Sequence, residues 1–139
     1  MTISSVLQFM NKFETCVIAT VNANGQPEAA TVGFSVDIEF KILIGTNQKT
    51  RKALNLAKNN KVAMVVGFEG LKTLQIEGIA EKIDVEKNLG RINLHFDKVP
   101  GAKKFAGEFG QNYYLITPNW LRFTDYTRVN PVFETEDLS

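Results

Sequence analysis

The sequence predicts a mainly β fold: a small antiparallel β-barrel of Greek-key type with flanking helices outside it. Three observations point there. Apolar runs of strand length outnumber helical ones along the chain. The first two runs are joined through Asn24-Gly25, the strongest short-range hairpin signal, which forces antiparallel pairing. Only two helical segments fall between strands, too few for a parallel sheet, in which most strand pairs need a crossover helix. Closing the sheet on itself removes its exposed edges. The 139 residues are read as one domain spanning 1–139, long enough to bury roughly 68–70% of the unfolded surface without covalent staples.

Each element has its own signal. Val6, Phe9, Met10 and Phe13 follow helical spacing over Ser4 to Phe13, with Ser4 or Ser5 as the cap. Cys16 to Val21 is a β-branched run, and its hairpin partner runs from about Gln26 to Val36, Pro27 suiting an edge strand or a first strand position. Asp37 to Glu39 turns the chain into a third strand over Phe40 to Thr46. Thr50 caps a helix whose apolar stripe is Ala53, Leu54, Leu56 and Ala57. Lys61 to Phe68 is nearly continuous in apolar residues, as in a strand covered on both faces. Leu71 to Ile83 alternates, with Leu74, Ile76 and Gly78 on one face. Asp84 caps a second helix over Val85 to Phe96, lined by Val85, Leu89, Ile92 and Phe96. A short turn is expected at Ala102 to Ala106. Two last strands, Asn112 to Thr117 and Trp120 to Thr127, are split by Pro118-Asn119.

Composition excludes several classes of function. Net charge is +1, which gives no long-range field for nucleic acid or an anionic membrane. The single cysteine, Cys16, has no partner for a disulfide and reads as a small buried thiol; no Cys/His cluster is spaced for zinc. No apolar stretch reaches transmembrane length, and Met1 to Phe13 lacks a basic start before an apolar block, so a cytoplasmic location is expected. No nucleophile elbow, P-loop or dinucleotide glycine motif is present.

The segment richest in chemistry is Gly45-Thr46-Asn47-Gln48-Lys49-Thr50-Arg51-Lys52, which leaves a strand and opens a helix. A helix start is positively polarised, so Lys49, Arg51 and Lys52 sit against the dipole there. Two readings are open on these grounds: a solvated basic patch, or a seat for an anion such as phosphate, which the N–H groups, the Thr50 hydroxyl and the cations would share.

The order of blocks narrows this. Val17-Ile18-Ala19-Thr20-Val21-Asn22-Ala23-Asn24-Gly25-Gln26-Pro27 is followed by Gly45 to Leu56, by Asn59-Asn60-Lys61-Val62-Ala63-Met64-Val65, and by Leu74-Gln75-Ile76-Glu77-Gly78-Ile79-Ala80-Glu81. In this order the chain resembles the pyridoxamine 5′-phosphate oxidase-like split barrels that bind flavin mononucleotide (FMN), closely from Phe13 to Glu81 and more loosely beyond. The resemblance implies that Arg51 and Lys52 grip the FMN phosphate, with Thr50 the hydroxyl residue before them. Gly45, Thr46 and Asn47 match the strand end beside the flavin. Ala29 to Phe34, including Thr31 and Val32, matches the strand whose backbone lies along the isoalloxazine ring. Thr73 falls near a position that reaches the flavin from the partner subunit, since family members are homodimers with the cofactor at the interface.

The chain also departs from the namesake enzymes. Their longer C-terminal region ends in a basic, His-containing segment, whereas Asn130 to Ser139 is short and acidic at Glu134, Glu136 and Asp137. Ala29 and Ala30 replace cationic positions of the second strand. The likeness is therefore to short members of the general-stress-protein type. The expectation is an FMN-dependent oxidoreductase acting on a small molecule, without nucleic acid, membrane or metal. The alternatives are a flavin carrier or sensor, or a barrel using the deazaflavin F420 or haem. Trp120 is a candidate to stack near the flavin or substrate, with core or dimer packing as the alternative, and Arg122 is a weaker candidate for an anion contact. His95, the only histidine, reads as a surface or partly buried helix residue, and Phe105 and Phe109 as packing or a lid.

Overall fold

A computed structural model describes residues 1–139. Helix α1 (Ile3–Met10) leads into strands β1 (Thr15–Val21), β2 (Pro27–Val36) and β3 (Ile42–Asn47). Helix α2 (Arg51–Leu56) then precedes β4 (Lys61–Val66) and β5 (Lys72–Lys82). A 3-10 turn (Glu86–Asn88) enters helix α3 (Leu89–Lys98), and a second one (Pro100–Phe105) leads to β6 (Gln111–Asp125) and β7 (Val132–Asp137). The sheet order is β3-β2-β1-β4-β5-β6-β7, and an extra β3–β6 ladder closes the first six strands into an antiparallel barrel. β7 lies outside the closure, on the far half of β6.

The barrel closes because the inward positions are apolar at period two. Cys16 and Ile18 on β1, Phe34 on β2, Ile42 and Ile44 on β3, Met64 and Val66 on β4, Leu74 and Ile76 on β5, and Ile116 and Leu121 on β6 meet in one cluster. Val6 and Met10 of α1 join it at one end. Asn22 ties the first hairpin: its Oδ1 accepts from the backbone of Asn24 and of Gln26, and Gly25 takes φ +80°. A smaller cluster, Leu43, Ile92, Tyr113 and Leu115, lies between α3 and the outer face of β3 and β6.

Several elements differ from the sequence-based expectation. β6 is one strand, not two. Gly78 pairs with Pro118 and Glu77 with Trp120, so Asn119 is the extra residue of a bulge. A bulge accommodates a proline that lacks an N–H, and Gly78 is required opposite it: a Cβ there would stand 2.8 Å from the Thr117 carbonyl oxygen. The acidic tail is also a strand, with Glu134 opposite Phe123. β4 alternates in burial and ends at Val66, leaving Ala63 exposed on its outer face. α1 is capped by Thr2 rather than Ser4 or Ser5. The second helix starts later than expected: Val85 lies before the 3-10 turn and faces solvent, as does Leu89 at the start of α3, while Ile92 and His95 are buried. In α2, Leu54 points outward and Asn55 inward. No helix is long and apolar enough to cross a membrane.

Candidate functional site

The β3–α2 junction is assembled by hydroxyl groups. The Thr50 hydroxyl donates to the Asn47 carbonyl at 2.9 Å and accepts from the Ala53 N–H at 3.2 Å, capping α2. Its remaining capacity takes the hydroxyl of the buried Thr46 at 2.8 Å. One donor and two acceptor sites are thereby filled, so Thr50 shapes the turn and has no hydrogen left for a ligand. Asn47 Oδ1 accepts from the Lys49 N–H, and its Nδ2 donates to the Phe109 carbonyl, fixing the loop to the segment before β6.

α2 has six residues, so its dipole contributes little. What the turn presents is side-chain charge and free N–H groups. The backbone N–H groups of Arg51 and Lys52 make no hydrogen bond. Lys52 is half-buried and belongs to no ion pair; burial, with a smaller push from Arg51, lowers its pKa. Arg51 is exposed and pairs with Glu28 of β2 at 3.0 Å. Part of the negative charge expected beside these cations therefore comes from the chain itself. Glu28 is anchored in turn: its Oε1 accepts from Asn55 Nδ2, which also donates to the buried Thr20 hydroxyl, both at 2.9 Å. Lys49 is exposed and stands apart from this network.

The remaining predicted residues divide into three groups. Gly45 lines a cavity of about 240 Å³ between the outer face of β2, β3 and β6 and the strap formed by α3 and the turn after it. Thr31 is exposed on that outer side, whereas Val32 turns inward and packs on the core, leaving only its backbone to a ligand. Thr73 and Trp120 are not brought to the cluster. Thr73 pairs with Thr124 near one end of β6, while Thr46 pairs with Asn112 at the other, and Trp120 lies opposite Glu77.

His95 and Tyr113 line this cavity, and the half-buried Lys98 and the buried Cys16 are further titratable groups outside its lining. His95 is fully buried, its Nδ1 3.0 Å from the Ser35 hydroxyl. Burial, aided by nearby Lys98, pushes its pKa down to about 4, so it is neutral near pH 7. Tyr113 has the only buried side-chain polar atom without a hydrogen-bond partner. Burial raises its pKa, and Gln111 beside it pulls the value back without reaching hydrogen-bond geometry. Lys98 lies across the Phe34 ring, 3.5 Å from its centroid, and donates to the Phe34 carbonyl; burial lowers its pKa to about 8. Burial drives the Cys16 thiol up to about 12, which leaves it inert. The spacing Ile92, His95, Phe96, Val99 was the available signal that His95 faces inward.

A closed antiparallel barrel with outer helices and a hydroxyl-and-cation turn after its third strand defines the split-barrel class. Within that class the chain belongs to the family described as Pyridoxamine 5'-phosphate oxidase, which matches residues 4–124. It is 30% identical over 76 residues to the pyridoxine/pyridoxamine 5'-phosphate oxidase of Colwellia psychrerythraea, covering 54% of this chain and 35% of that protein. The chain thus spans about a third of the length of that curated relative. Two solved structures share the fold at low identity. A heme binding protein from Mycobacterium smegmatis superposes with TM-score 0.81 at 14% identity, over 99% of this chain and 58% of that one. General Stress Protein 26 from Bacillus anthracis gives TM-score 0.69 at 18% identity, over 96% and 98%.

Proposed function

We propose that this chain is an FMN-binding flavoprotein and an oxidoreductase, with the FMN phosphate held at Arg51 and Lys52. The observation that carries this is Lys52: a half-buried ammonium without a carboxylate partner, beside a second cation and two backbone N–H groups that bond to nothing. A phosphate monoester would satisfy all of these together. Thr46 and Thr50 would hold the turn in shape, and the β2 and β3 backbone near Thr31, Val32 and Gly45 would flank the ring. Asn47 would fix the loop that borders it. When bound, the flavin supplies hydride transfer, and the protein supplies binding, orientation and exclusion of water. The lack of a partnered acid–base pair at the cluster agrees with a cofactor carrying the chemistry.

Thr73 and Trp120 would reach the cofactor from a second copy, in a homodimer with the cofactor between subunits. A carrier or sensor of flavin, or a barrel for F420, would use the same phosphate seat. Haem is a separate reading, favoured by the neighbour titled a heme binding protein; here the only histidine is buried and bonded to Ser35, so it offers no imidazole to an iron at the surface. Mass spectrometry of the ligand released on denaturation separates these readings, and FMN is the expected mass. The Arg51→Ala/Lys52→Ala double variant is expected to purify colourless. Undiminished FMN in that variant would remove the phosphate assignment.

A further inference from the structure

The seat for the phosphate holds an anion of its own. Arg51 gives one guanidinium N–H to Glu28 Oε2 at 3.0 Å. Glu28 cannot swing away freely, because Asn55 Nδ2 holds its other oxygen and Asn55 is itself fixed on Thr20, which is 1% exposed. The carboxylate is therefore a built feature, placed by β2 and tied to the inward face of α2. With Arg51, Lys52 and Glu28 counted together, the seat carries one net positive charge, while a phosphate monoester near neutral pH carries close to two negative ones. An incoming phosphate must share Arg51 with a carboxylate that repels it.

We infer that Glu28 is a specificity-determining residue that competes with the ligand's phosphate for Arg51, so that this chain holds phosphate-bearing ligands less tightly than its cations alone would. The inference rests on the reading of Arg51 and Lys52 as the FMN phosphate seat. It concerns affinity and discrimination, not the flavin's chemistry. The physical basis is like-charge repulsion at a partly exposed site, where one neighbouring charge changes binding by a factor and not by orders of magnitude.

The test is Glu28→Gln, which keeps the oxygen that accepts from Asn55, removes the charge, and puts an amide NH2, which cannot accept from Arg51, where the second oxygen stood. Protein freed of bound ligand is titrated with FMN and with riboflavin, which lacks the phosphate, by quenching of flavin fluorescence. The expected result is that Glu28→Gln binds FMN tighter than wild type by up to about fivefold, with riboflavin affinity unchanged. The FMN gain is expected to shrink as salt is raised. Unchanged or weaker FMN binding in the variant overturns the inference, since Glu28 would then be neutral or would serve to orient Arg51. An equal gain for FMN and riboflavin also overturns it, because the effect would not act through the phosphate. If wild type and variant both bind FMN no better than riboflavin, the phosphate seat itself fails, a different and recognisable outcome.

Discussion

His95 and Tyr113 show how single buried groups set the response of the protein to its surroundings. His95 is neutral in the folded chain because burial pushes its pKa to about 4, against 6.5 when exposed. The unfolded chain therefore binds more protons between those values. Stability linked to this group is fully present above pH 6.5 and is lost as pH falls toward 4. His95→Gln, which keeps a polar group for Ser35, is expected to flatten that acid limb by on the order of 2 kcal/mol, read from urea unfolding at pH 7 and pH 4.5. Tyr113 has the opposite lesson. Its hydroxyl is buried without a partner, and such a group costs about 1–3 kcal/mol. Tyr113→Phe should leave the melting temperature unchanged or raise it, and a clear fall would mean that the hydroxyl is bonded in solution. Neither environment follows from composition. His95 reads from its neighbours Leu94 and Phe96 as a surface or partly buried residue, whereas Leu94 points outward and His95 is fully buried.

At the scale of elements, the turn between β3 and α2 was legible because each part has a local chemical signature: Thr50 caps, Arg51 and Lys52 follow, and the cap is formed as expected. The apolar stripe of α2 was only half legible. A six-residue helix has too few turns for periodicity to choose between Leu54 and Leu56, and tertiary packing buried Asn55 instead, where it bonds Thr20 and Glu28. The expected consequence is that Leu56→Ala costs about 2–5 kcal/mol, while Leu54→Ala, at a position 60% exposed, changes fold stability by less than about 0.5 kcal/mol. β6 was misread for a related reason. Pro118-Asn119 has the composition of a turn, but in a barrel wall the same pair forms a bulge when a glycine stands across the ladder. Gly78→Ala places a methyl 2.8 Å from the Thr117 carbonyl oxygen, and overpacking of that kind costs about 1–3 kcal/mol. Thermal melts of the three variants test this account of the packing of α2 and of the barrel wall. β7 was missed because Glu134, Glu136 and Asp137 resemble a solvated tail, although its partner is the neighbouring half of β6, Trp120 to Asp125, just across the 126–131 connection.

For the whole molecule, barrel closure was inferred from strand count and antiparallel hairpins, and the β3–β6 ladder achieves it. Closure places the hydroxyl-and-cation turn at one end of β6 and Thr73 at the other. One chain therefore does not gather all the residues proposed to meet the flavin. A homodimer would do so, and sedimentation is expected to give twice the chain mass, with Trp120→Ala weakening FMN binding without changing the melting temperature of the ligand-free protein by more than a few degrees. The central claim is narrower: the phosphate of the ligand is what Arg51 and Lys52 hold. Isothermal titration of ligand-free wild-type protein with FMN and with riboflavin tests it most directly. Two charge-assisted contacts predict FMN binding tighter by about 100-fold, whereas equal affinities for the two flavins would contradict the claim.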